Sequence, residues 1–127
     1  MSPFRPVPIL GPDIIRAMAA APLDALVVLC TCPDETTATG IATALLAEKL
    51  AACVNCVAGI RSMYRWDGQI RDEAEVLLVI KTSAARYGAL ESLLRAQHPY
   101  EMPEIIALPV VAGAQDYLNW IRQATNA

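Results

Sequence analysis

The segments of this chain follow the order β-α-β-β-α-β-α, which predicts an α+β domain on a four-stranded antiparallel sheet. Three observations carry that prediction. Between Cys53 and Thr82, two long alternating arms flank Asp67-Gly68, a pair that supplies the positive φ angles of a tight hairpin. Leu26-Val27-Val28-Leu29-Cys30 is a continuous apolar run of the kind a central strand shows. Apolar residues at helical spacing follow each: Ala38, Ile41, Ala42, Leu45 and Leu46 after the run, then Tyr87, Leu90, Leu93 and Leu94 after the hairpin.

Residues 1–22 are rich in Pro and Ala and read as an extension; residues 23–127 read as one domain. Within the extension, Pro12 to Ala19 suits a short helix with the proline in its first turn. Pro33, Asp34 and Glu35 switch the chain from first strand to first helix. In the hairpin's second arm Ala74, Val76, Leu78 and Ile80 share an apolar face, opposite Glu73, Glu75, Leu77, Val79 and Lys81. In the first arm Val54, Cys56, Ala58, Ile60, Ser62, Tyr64 and Trp66 fall together. A second helix spans 84–97 and stops at His98-Pro99, because a residue before proline avoids the α region. Residues 105–110 make a fourth strand whose Pro109 marks an edge or an end, and Gln115 to Ala124 a last helix. The first six elements are the split βαβ of a ferredoxin-like fold, with both helices on one sheet face and the other face bare.

The hairpin is longer than its own domain needs. Arms of roughly 10 to 13 residues reach some 35 to 40 Å at about 3.3 Å per residue. A domain this size is only about 33 Å across. The tip carries Met63, Tyr64, Trp66 and Ile70, which water makes costly to expose. Sister subunits covering tip and bare face resolve both problems; a bulged hairpin folding back on itself is the plainer alternative.

Bulk composition excludes several functions. A net charge of -3 and scattered basic residues do not make a nucleic-acid surface. The 55% apolar content contains no run long enough for a membrane span. Prolines and Asp13 interrupt the N-terminus where a signal peptide's apolar stretch should sit, so the expected compartment is cytoplasmic and the four cysteines are expected as thiols.

Six segments stand in a telling order. They are Cys30-Thr31 with Pro33-Asp34-Glu35; Leu50 to Asn55; Tyr64-Arg65-Trp66; Lys81-Thr82; His98-Pro99-Tyr100 through Pro103-Glu104-Ile105; and Tyr117-Leu118 through Trp120. Together, over residues 26–122, the chain resembles the CutA family of divalent-cation tolerance proteins. The resemblance implies a ferredoxin-like homotrimer, similar in architecture to PII signalling proteins, and a link to copper and other divalent metals. It also implies that Cys30 and Cys53 stand where family members have been discussed as copper or mercury ligands.

The residues themselves offer two constellations. Cys30-x-Cys32 with Cys53-x-x-Cys56 superficially suggests a four-thiolate zinc site, but Cys53 and Cys56 point to opposite faces of a strand, so buried small side chains are the better reading. His98, the only histidine, offers Cu(II) or Zn(II) an imidazole, or else a hydrogen bond at a helix end. The candidate metal residues are His98, Cys30 and Cys53, with Glu104 beside them. Tyr64, Trp66, Glu75, Lys81, Tyr100 and Glu104 form the second group, a polar pocket at a subunit junction or a set of interface anchors. No nucleophile-base pattern supports catalysis. The sequence therefore reads as a non-enzymatic homotrimer binding copper or a related divalent cation. The alternative is a PII-like signalling or scaffold module holding a small anion through Lys81, or a partner protein.

Overall fold

The fold is a computed structural model that describes residues 24–126; the expected extension and its short helix lie outside the described residues. The elements are β1 (Ala25–Cys32), α1 (Glu35–Ala47), β2 (Cys53–Trp66), β3 (Gln69–Ser83), a single 3-10 turn (Ala84–Arg86), α2 (Tyr87–Gln97), β4 (Ile106–Pro109) and α3 (Gln115–Ala124). The sheet order is β2-β3-β1-β4 and every pairing is antiparallel, the predicted ferredoxin-like arrangement.

Both crossover helices pack on one face. Ala38, Ile41 and Leu45 of α1 and Leu90 and Leu94 of α2 meet Val28, Cys30, Cys32, Val76, Leu78 and Ile80 in one buried cluster. Each fully buried leucine there stabilises the fold by roughly 1.5–3 kcal/mol. The turn after α1 is tied down from the sheet: the Thr82 hydroxyl donates to the Leu50 carbonyl at 2.7 Å inside the core.

Four boundaries differ from the expectation, two of them slightly: the second helix opens as the 3-10 turn and is α only from Tyr87, and β4 covers Ile106–Pro109 in place of 105–110. β1 continues past Cys30 to Cys32, because each of those residues pairs with β3 up to Cys32 opposite Val76. Asp34 sits outside α1 as its N-cap, its side chain accepting from the Thr37 N–H at 2.7 Å.

The turn matches its prediction. Asp67 and Gly68 have φ of 52° and 71°, the two positive angles of a type I′ hairpin. Along β2, however, the expected single face breaks. Val57 faces Leu77 and Ile60 faces Glu75, so Ala58 and Gly59 together oppose Val76 alone. Gly59, at φ 76°, makes this bulge. One extra residue inverts the alternation, leaving Val54 and Cys56 on the helix face and Ile60, Ser62, Tyr64 and Trp66 on the opposite one.

Among the described residues that opposite face is covered at one end only, where Leu118 and Ile121 of α3 pack on Ala25. Ile106 and Leu108 of β4 remain exposed on it. Because β1 pairs only with residues 76–83 of β3, the hairpin from residue 60 to 75 extends beyond its neighbour. Met63 and Ile70 on this extension are 61% and 73% exposed.

Candidate functional site

One loop, from His98 to Glu104, joins two groups of functional side chains. His98 caps α2, its N–H donating to the Leu94 carbonyl at 2.9 Å, and its extended backbone leads into Pro99. The loop then wraps the end of β1 and reaches both sheet faces.

On the helix face, Cys30 and Cys32 are two residues apart on one strand, so their thiols project side by side. Both are fully buried, and His98 is nearly so. One donor atom from each of the three lies within 4.8 Å of the others. The hydrogen bond that the two thiols share holds Cys30 well above the usual thiol range, burial adding to the effect, and lowers Cys32. The imidazole is fully engaged: Nε2–H donates to the Thr31 carbonyl at 2.7 Å, and Nδ1 accepts from the Tyr100 N–H at 3.1 Å. Its ring also lies 4.7 Å from that of Tyr100, tilted by 50°.

On the other face, a cavity of about 760 Å³ lies between the hairpin and the same loop. Tyr64, Trp66, Tyr100 and Glu104 line it, together with Arg61, Arg71 and Met102. The Tyr100 hydroxyl donates to Glu75 Oε2 at 2.9 Å, and burial followed by that bond pushes Tyr100 up. Arg61 grips Asp72 with both guanidinium arms, at 2.8 and 2.5 Å, which leaves Arg71 as the lining cation without an ion pair among the described residues.

The residues singled out in the sequence thus divide. Cys30 and His98 come together, whereas Cys53 lies opposite Lys81 on the far part of the sheet, beside Tyr117. Tyr64, Trp66, Tyr100 and Glu104 share the cavity and Glu75 lies under it. Lys81 does not reach it, being six residues, roughly 20 Å, further along β3 and bonded to Asn55. Cys32 is the member that sequence reasoning set aside; its signal was the two-residue spacing from Cys30, had the strand been continued to Pro33. Arg71 continues the alternation that puts Glu73 and Glu75 on one face of β3 and was readable, whereas Arg61 carried no signal, because the bulge at Gly59 inverts the alternation of β2.

The family model of the CutA1 divalent ion tolerance protein matches residues 26–124. The divalent-cation tolerance protein CutA of Thermus thermophilus is 48% identical over 99 residues, covering 78% of this chain and 96% of that protein. Its namesake from Citrobacter koseri is 47% identical over 98 residues, covering 77% and 85%. Among solved structures, the Thermus thermophilus divalent cation tolerance protein superposes with a TM-score of 0.79 at 46% identity, over 80% of this chain and 99% of that one. With the fold, the segment order and nearly the whole described length in agreement, the chain belongs to the CutA1 family of divalent ion tolerance proteins.

Proposed function

We propose that this protein is a cytoplasmic homotrimer that binds copper or a related divalent ion, acting as a binder and not as an enzyme. The observation that carries the metal reading is the convergence of Cys30, Cys32 and His98 within 4.8 Å, two sulfurs beside an imidazole. Such donors suit copper and zinc better than magnesium or calcium, which prefer oxygen. Cys53, from its position beside Tyr117, would have to act separately or with a sister subunit's groups. Glu104 stands near enough to Cys30 for its charge to be felt by the thiol.

Assembly draws its support from the extended hairpin and the partly covered sheet face, whose apolar side chains need a partner. Calorimetric titration of the purified chain with Cu(II) and Zn(II), alongside a Cys30→Ala, His98→Ala double variant, tests the metal reading. Loss of micromolar binding in the variant supports it, and no binding by the native chain overturns it. A light-scattering mass of three chains tests the assembly.

The cavity of about 760 Å³ favours a second reading, a PII-like module that holds a small anionic ligand or a partner protein at a subunit junction. Arg71 is better sited for that role than Lys81. Binding of organic acids or nucleotides that is abolished by Arg71→Ala, with metals indifferent, would favour it.

A further inference from the structure

We propose that Cys30 and Cys32 act as a two-sulfur clamp for a soft, closed-shell ion satisfied by two ligands, Cu(I) above all, while His98 stays hydrogen-bonded to Thr31 instead of ligating. This rests on the metal-binding reading and names the ion and the ligands within it.

Spacing supports the clamp. Two sulfurs each about 2.3 Å from one ion stand at most about 4.6 Å apart, and the cluster's donor atoms lie within 4.8 Å of one another. Both cysteines are free thiols, each able to supply one sulfur.

The choice of ion follows from what the imidazole is already doing. Ligation through Nε2 would take the proton from the bond to the Thr31 carbonyl; ligation through Nδ1 would evict the Tyr100 N–H. Either leaves a backbone group in or beside the core without its partner. With the ring committed, two thiols remain. Zinc is almost always four-coordinate in structural sites, and Cu(II) prefers nitrogen and oxygen in a tetragonal set, whereas paired thiolates select Cu(I). The step transfers no electrons: two S–H protons leave to solvent, two S–Cu bonds form, and the complex carries one net negative charge. A cavity of about 240 Å³ lies beside Val76, the cross-strand neighbour of Cys32, with Cys56 and Glu35 on its wall, although neither Cys30 nor Cys32 lines it.

The test loads the native chain anaerobically with Cu(I), in competition with a Cu(I)-specific chelator. One ion retained per chain is expected, with Cys30→Ala and Cys32→Ala each weakening retention by more than about a hundredfold, beyond the 10–100-fold cost of losing an outer-shell partner. Because the chain has a single histidine, its ring nitrogens are read directly by ¹⁵N NMR. They should keep the Nε2–H tautomer on loading. A metal-induced shift of either ring nitrogen, or native-like Cu(I) retention by Cys32→Ala, overturns the proposal. The NMR arm needs no variant, so a misfolded cysteine variant does not spare the proposal from refutation. Cu(II) held through His98 with no Cu(I) retained would sink this inference and leave the broader metal reading standing, whereas failure of every ion sinks both.

Discussion

Asp34 and Asp72 are both held below the usual carboxylate range, Asp34 by the backbone N–H of Thr37 and Asp72 by the Arg61 guanidinium. A carboxyl lowered by folding contributes stability above its unfolded pKa of about 3.9 and loses it as pH falls through the folded value. The melting temperature should therefore hold steady near neutrality and drop below about pH 4. Asp34→Asn, which keeps a capping oxygen but does not titrate, should flatten part of that drop. Both groups are exposed, so the effect should shrink with added salt. Inside the core, Thr82→Val should lower unfolding free energy by about 1–3 kcal/mol in a urea titration, because the Leu50 carbonyl loses its buried donor. At this scale the sequence was legible wherever a side chain's partner is local, as with Asp34 at the start of α1. It anticipated a hydrogen bond at His98 but not its partner, since the acceptor is the backbone carbonyl of Thr31, 67 positions away, and a carbonyl has no letter.

Among the elements, the hairpin shows both what pattern reveals and what it hides. Asp67-Gly68 announced its turn because few other pairs tolerate two positive φ angles in succession. Gly59 announced nothing, since a lone glycine in a strand fits a weak spot as well as a bulge. Yet it decides that Tyr64 and Trp66 face the loop that carries Tyr100. Gly59→Val places a β-branched residue at φ 76° and should cost about 1–3 kcal/mol, read from the denaturation midpoint. There is open space for the side chain, so the loss would come from backbone strain and not from a clash. The same reasoning explains the misread end of β1: Pro33 and the acidic pair correctly mark a helix start, but the strand runs up to that signal and does not stop short of it.

For the molecule as a whole, the order of strands and the placing of α1 and α2 were recoverable, because periodicity and the limited set of split βαβ connections leave few arrangements open. The position of α3 across the sheet was not, as an amphipathic helix says that it buries a face without saying which. Tyr64 and Trp66 are roughly two-fifths exposed. If they anchor a neighbour, Tyr64→Ala with Trp66→Ala should shift the sedimentation coefficient toward that of a single chain; an unchanged coefficient would remove them from the interface. The sheet's two flanks are unequal, with β2 offering fourteen residues of strand edge and β4 only four. A copy that docks long flank to short flank exposes another long flank at its far end, so the joining either circles back on itself or propagates without limit. Clear, non-viscous behaviour at high concentration would then be a sign of a closed circle, and a mutation that opens the circle should announce itself first as filaments.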